Sequence, residues 1–190
     1  MIESEAIARL KEGDISGLET LVKVHQLKAV RTAYLIVRDY FLAEDVVEDA
    51  FLRAYERINQ FDTERPFGPW FLRIVINIAK RKATQRDRHI SLDNLNTGEE
   101  IILETVLGDG APNLEEMAEQ ADLQSVVWST LGRLTAAQRT TIIQRYYLDL
   151  SEKEIAANSD SPLGTIKWRL HIAHKHLRDW LHPLIHSDPQ

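Results

Sequence analysis

Residues 150–177 read LSEKEIAANSDSPLGTIKWRLHIAHKHL. The spacing predicts two short helices joined by a tight turn. Ser151 and Glu154 form the S-x-x-E capping box, in which each side chain satisfies an orphan backbone N–H at the helix start. Leu150 before the cap and Ile155 after it are placed for a hydrophobic staple. Asn158, Ser159 and Asp160 supply turn chemistry. Ser161 and Pro162 then restart a helix, with Ser as N-cap and Pro at the first helical position. Ile166, Leu170, Ala173 and Leu177 share one helical face and are expected to pack inward. Lys167, Arg169 and Lys175 carry the charge, and no Asp or Glu occurs from Ser161 to Arg178. A buried first helix with a basic second helix is the layout of a DNA-reading helix-turn-helix. An ordinary helical hairpin with a solvated basic face is the plainer alternative.

The whole chain of 190 residues has room for one domain or two small ones. It contains no cysteine, which excludes a disulfide framework, a thiolate zinc site and a thiol switch within this sequence. No apolar run is long enough to span a bilayer, and MIESEAIARLKEGD does not read as a signal peptide. The expectation is a soluble cytoplasmic protein with no membrane insertion.

The net charge of −6 argues against a nucleic-acid partner until its distribution is considered. Residues 1–95 hold 15 Lys+Arg against 15 Asp+Glu. Residues 96–119 hold 7 Asp+Glu and no Lys or Arg. Residues 120–190 hold 8 basic and 7 acidic side chains. The excess acid therefore lies in one short segment, and local patches decide the partners. That segment is punctuated by Gly98, Gly108, Gly110 and Pro112, and reads as a flexible acidic linker between two helical domains.

Helices are predicted over Ser4–Lys11, Ile15–Val37, Ala43–Ile58 and Trp70–Arg88, with Phe61–Phe67 as a loop containing Pro66. After the linker, Leu114–Leu131 and Ala136–Tyr147 precede the helix-turn-helix. No run alternates at the strand period, so the fold class is all-α. In Ala43–Ile58 a broad apolar stripe runs through Val46, Val47, Ala50, Phe51, Ala54 and Ile58.

Trp70–Arg88 has two faces. Trp70, Ile74 and Ile78, with Phe71 and Val75, make the apolar side. Arg73, Asn77, Lys80, Arg81, Thr84 and Arg88 follow at spacings of three and four on the other. Asn among Lys and Arg suits phosphates and base edges. Phe61 and Phe67, in or beside the loop, are candidates to stack on unpaired bases, whereas Trp70 and Phe71 read as core.

Four stretches together resemble the sigma-70 family of bacterial transcription initiation factors, most closely its small extracytoplasmic-function (ECF) members. AEDVVEDAFLRAYERINQFD (43–62) is similar to the part of sigma region 2 that grips the RNA polymerase clamp, and RPFGPWFLRIVINIAKRKATQRDR (65–88) to the part that melts and reads the minus-ten element. LGRLTAAQRTTIIQRYYLDLSEKEIA (131–156) resembles the start of region 4, and SPLGTIKWRLHIAHKHLRDWL (161–181) the helix that reads the minus-thirty-five element. The resemblance implies region 2 over residues 1–95, an acidic linker over 96–119 and region 4 over 120–186. It implies a factor that binds core polymerase through the clamp of the largest subunit and the flap, directs it to promoter DNA and helps open the duplex. It implies no enzymatic activity, no cofactor and no metal, a monomer when free, and an anti-sigma factor as partner.

Residue roles follow from the same resemblance. Asp45, Glu48, Phe51 and Arg53 match the polymerase-binding helix. Phe61, Phe67, Arg73, Asn77, Lys80, Arg81 and Thr84 match the minus-ten surface. Thr165, Lys167, Trp168, Arg169, His171, Ile172 and Lys175 match the minus-thirty-five helix. The chain departs from the family at several points. Glu48 stands where Gln is common, Asp160 where the turn usually has glycine, Trp168 where a small residue is common and Ile172 where a basic one is. The last two could contact thymine methyls or dock a partner.

The residues admit two other readings. A stand-alone helix-turn-helix regulator leaves Ala43–Ile58 and the second basic helix unexplained. A metal-dependent enzyme could draw on His171, His174 and His176 or on Glu44, Asp45, Glu48 and Asp49, but no H-E-x-x-H pattern or third ligand is present in the sequence.

Overall fold

The computed structural model describes residues 2–90 and 125–185. The expected acidic linker at 96–119 and the expected helix from Leu114 up to residue 124 lie outside the described residues. Helix α1 spans Glu3–Lys11, α2 Ser16–Val37, α3 Tyr40–Glu56 and α4 Phe67–Ile90, with a 3₁₀ turn at Ile58–Gln60. Residues 125–133 are helical and form α5. Helix α6 then spans Ala136–Tyr146, α7 Glu152–Ser159 and α8 Leu163–Ile185. Among the described residues there is no strand. The chain divides into two compact units, Met1–Ala83 and Thr84–Gln190.

Local chemistry sets the joints of the first unit. Glu3 and Glu5 in the first turn of α1, and Arg9 and Lys11 in its last, complement the helix dipole. Gly13, at a φ of 87°, ends it. The Gly13 amide donates to the Leu10 carbonyl at 3.1 Å and the Asp14 amide to Arg9 at 2.9 Å, the paired bonds of a Schellman motif. Arg38 takes a left-handed conformation after α2, and the Asp39 carboxylate then caps α3 by accepting from the Leu42 amide at 3.0 Å.

The core of this unit is formed by the inner faces of α1 to α4. Tyr34 and Ile36 from α2, Val46 and Ala50 from α3, and Phe71 and Val75 from α4 are fully enclosed. Phe71 stacks on Phe51 with ring centroids 4.3 Å apart and on Phe67 at 5.7 Å. Helix α1 packs on α2 at close range. A Cβ placed on Gly17 would lie 2.2 Å from the Ala6 carbonyl oxygen.

The second unit is built on a small core of Leu134, Ile142, Ile155, Ile166, Leu170 and Ala173, against which Leu150 and Leu177 pack. Thr135 and Gln138 form a capping box at the start of α6. The Ala136 amide at that start donates to the Asp87 carboxylate at 3.0 Å. Asp87 also pairs with Arg139 at 3.5 Å, and the buried Arg139 guanidinium donates to the Leu134 carbonyl at 2.9 Å. These bonds explain why the last residues of α4 belong to the second unit.

The close approach of α1 and α2 makes a signed prediction. In an exposed helix position, glycine to alanine stabilises by about 1 kcal/mol through propensity. Gly17→Ala is instead expected to destabilise the first unit by about 1–3 kcal/mol, because the obstructing atom is backbone and α1 must shift. Urea denaturation of the two chains measures it, and a more stable G17A chain contradicts the packing described.

Candidate nucleic-acid and polymerase interfaces

Helix α4 buries Phe67, Phe71, Val75, Ile76, Ile78, Ala79 and Ala83. That choice of inner face turns Arg73, Asn77 and Arg81 outward, one helical turn apart, and all three are exposed. Arg88 is exposed further along, and Lys80 and Thr84 flank the stripe half-buried. The sixteen residues from Arg73 to Arg88 carry 6 basic side chains and a single acid, Asp87. Not every cation is available to an outside anion. Lys82 reaches Asp49 on α3 at 3.1 Å.

The structure encloses the aromatic part of the expected minus-ten surface. Phe61 and Phe67 are enclosed, at 3% and 1% exposure. Their rings meet edge to face at 5.5 Å, and Trp70 closes over both at 5.1 and 5.5 Å. His25 lies 5.2 Å from Phe67 on the far side. A phenyl ring gains more from this enclosure than from water, so both side chains are pillars under the loop. The loop presents residues 62–66 instead, all exposed. Asp62 shapes it by accepting from the Glu64 amide at 3.1 Å and pairing with Arg65 at 3.2 Å. Helix α4 also begins at Phe67, earlier than the expected Trp70.

Helix α3 shows the same division. Asp45, Glu48 and Arg53 are exposed, whereas Phe51 is 6% exposed and faces the core. Its neighbour Leu52, which the sequence reading missed, is 60% exposed. It lies at i+7 from Asp45 and i+4 from Glu48, and that spacing was the available signal. A cleft of about 400 Å³ between α2 and α3 is lined by Val22, Gln26, Val30, Glu44, Glu48 and Leu52. Phe51 also lines the cleft beside Glu48 and Leu52, so its ring bridges the core and that outer face.

In the second unit, α7 and α8 form the expected helix-turn-helix. The Ser151 hydroxyl accepts from the Glu154 amide at 3.3 Å, and the Glu154 carboxylate accepts from the Ser151 amide at 2.8 Å. Asp160 holds the left-handed conformation at φ 46°, ψ 47°. The Ser161 amide then closes back on the Ala156 carbonyl at 3.1 Å. The Ser161 hydroxyl donates to the Ser159 carbonyl at 3.1 Å within the turn. The Pro162 carbonyl accepts the first α8 bonds, from Thr165 and Ile166, which places Pro162 one position before its expected role. Ile166, Leu170 and Ala173 are buried as expected, and Leu177 packs against their cluster. Lys167, Trp168, His171 and Lys175 are exposed on the opposite side, with Thr165, Arg169 and Ile172 half-buried at its margins.

The geometry places two basic helices on two units, one of them the second helix of a helix-turn-helix. Residues 21–89 match the family model Sigma-70 region 2, and residues 130–179 match Sigma-70, region 4. The chain belongs to the sigma-70 family. It is an ECF sigma factor, which directs RNA polymerase to promoters and is not an enzyme. The ECF RNA polymerase sigma factor SigW of Bacillus subtilis (strain 168) is 28% identical over 186 residues, covering 97% of this chain and 99% of SigW. The ECF RNA polymerase sigma-E factor of Escherichia coli (strain K12) is also 28% identical, over 94% of each chain. The solved structure of CnrH in complex with the cytosolic domain of CnrY matches with a TM-score of 0.60 at 22% identity, over 95% of this chain and 97% of that one.

His174 and His176 of this sigma factor pack against its own aromatic side chains. His174 is within 2.7 Å of the Tyr146 hydroxyl, and His176 stacks on Trp180 at 5.1 Å. Among the described residues no three His, Asp or Glu side chains converge on a point that could hold a metal. No helix among them is long and apolar enough to cross a membrane.

The capping box gives the helix-turn-helix a pH dependence. Hydrogen bonds from the Ser151 hydroxyl and amide hold the Glu154 carboxyl below its ordinary value of 4.5. A folded-state value below the unfolded one means that the ionised form stabilises the helix. The contribution is complete above 4.5 and is lost as pH falls through the lower folded value. An NMR titration is expected to place the Glu154 midpoint below 4.5 in the parent and to move it up toward 4.5 in Ser151→Ala, which keeps the amide bond and loses the hydroxyl bond. Equal midpoints in the two chains would refute the reciprocal cap.

Proposed function

We propose that the first unit binds the polymerase clamp through the outer face of α3 and reads the minus-ten element through the outer face of α4. Asp45, Glu48, Leu52 and Arg53 supply the clamp surface. Arg73, Asn77 and Arg81, with Lys80 and Thr84 at their flank, contact the minus-ten DNA. Phe51, Phe61 and Phe67 act from beneath, by fixing the helices and loop that carry those residues. The exposed loop at 62–66 is the part that meets a base drawn out of the stack while the duplex opens.

The second unit reads the minus-thirty-five element through α8, with Thr165, Lys167, Arg169, His171 and Lys175 among its contacts, and meets the polymerase flap. The observation that carries the reading is the α4 stripe. Three exposed polar residues one turn apart, two of them arginines, oppose the apolar face that carries Phe71, Val75 and Ala79 in the core. Arginine matches phosphate and guanine edges, and asparagine matches adenine. The protein acts as a monomer in the cytoplasm, where the polymerase is, and is held in check by an anti-sigma factor. The neighbour CnrH was solved with CnrY, and the sigma factor RpoE of Bartonella quintana with the anti-sigma factor NepR.

Co-purification with core RNA polymerase, followed by run-off transcription over a genomic promoter pool, tests this function. Stoichiometric binding and new specific transcripts are the expected result. Duplex DNA binding without polymerase binding would favour a stand-alone regulator. Within that assay, Leu52→Asp is expected to weaken polymerase binding about tenfold or more while leaving thermal stability unchanged. A stable L52D chain that binds polymerase normally removes this face of α3 from the interface. Arg81→Ala is expected to make the salt dependence of promoter binding shallower by about one unit in the log–log slope. An unchanged slope takes Arg81 off the DNA.

A further inference from the structure

We propose that Trp168 and Ile172 form an apolar reading head on α8 that recognises the C5-methyl groups of thymines in the major groove of promoter DNA. The assignment rests on the promoter-reading role of α8 and names what that helix reads. The core stripe of Ile166, Leu170 and Ala173 fixes the rotation of the helix. Two residues beyond Ile166 is about 200° around the axis. Trp168 accordingly projects away from the core with 61% of its surface exposed. Ile172 is one turn further along, half-buried at the margin of the same outer side, and Lys175 continues it.

A single exposed apolar side chain needs no explanation. Here the surrounding charge decides the occupant. The helix that carries the pair also carries Lys167, Arg169, Lys175 and Arg178, and no carboxylate occurs on it between Leu163 and Arg178. A rim of one sign selects a polyanion. Within the major groove of DNA the one apolar group on a base edge is the thymine methyl.

The donor inventory narrows the choice further. Isoleucine has no polar atom, and the indole has one donor and no acceptor. Neither can make the paired donor-acceptor bonds that read adenine, nor the two donated bonds that read guanine. Thymine presents its methyl beside the O4 acceptor, which complements an indole ring and its N–H. The spacing also fits. Four residues along the helix advance about 6 Å. Two base steps advance about 6.8 Å along one strand. Trp168 and Ile172 therefore reach thymines two steps apart when the helix lies along the groove.

The test uses the full chain bound to core polymerase, on duplexes recovered from the promoter pool. Each thymine of the upstream element is replaced in turn by deoxyuridine, which removes the methyl and keeps every hydrogen bond. The parent is expected to lose about fourfold in affinity at two positions, from the loss of one buried methyl each. Trp168→Ser is expected to abolish the effect at one position, Ile172→Ala at the other, and Trp168→Phe to retain most of it. Trp168 is exposed and Ile172 half-buried, so an unchanged helical circular-dichroism signal and thermal midpoint verify that each variant folds. Equal affinity for thymine and uracil at every position overturns the proposal while leaving the sigma-factor function standing. A W168S chain as methyl-sensitive as its parent also overturns it and assigns the patch to a protein partner. Failure to bind any promoter duplex overturns the function and this reading together.

Discussion

The packing of Phe71 between Phe51 and Phe67 sets the rotation of α4, and much of the first unit's surface follows from it. With ring centroids 4.3 and 5.7 Å from its neighbours, Phe71 cannot turn outward without leaving a large void in the core. Once it points inward, helical geometry places Arg73, Asn77 and Arg81 outward. The same helix thus completes a core and displays a cationic stripe. In the second unit, Ile166, Leu170 and Ala173 impose the same constraint on α8.

Such a design separates stability from recognition. Residues that hold the helices in place are apolar and enclosed, and the opposite faces carry exposed polar and basic side chains. The outer faces can change without disturbing the bundles, which is compatible with 28% identity to relatives over nearly the whole chain. The turn between α7 and α8 is a point where the two demands meet. Asp160 must hold a left-handed conformation that costs a non-glycine residue energy, although Asp tolerates it better than most. The turn is supported by the bond from the Ser161 amide to Ala156 and by the cap at Ser151 and Glu154.

Charge follows the same logic. A net charge of −6 describes the chain poorly, because the net excess of acid lies in residues 96–119 while α4 and α8 each carry a local excess of base. A partner meets these local fields, since screening limits the reach of distant charges to about 10 Å at ordinary salt. Internal pairs then trim the field. Lys82 is held by Asp49 and Arg139 lies buried beside Asp87, so these two cations contribute less to the outer surface than their presence in the sequence suggests.

By itself the sequence determined the all-helical class, the two-part organisation, the capping box at Ser151 and the inward face of α8. Each of these depends on contacts within a few residues, and the 3.6-residue period records them directly. It also identified Arg73, Asn77 and Arg81, because a polar stripe is legible wherever its opposite face is plainly apolar. Tertiary structure decided the fate of Phe51, Phe61 and Phe67. An aromatic ring beside a basic helix is equally suited to stacking on a base or filling a core, and no local pattern distinguishes them. The choice came from rings distant in sequence, such as His25 and Phe71, closing around the same space. The exposure of Leu52 and the pairing of Lys82 were settled in the same way. Periodicity assigns a residue to a face, and only the packing of the other helices determines whether that face is covered.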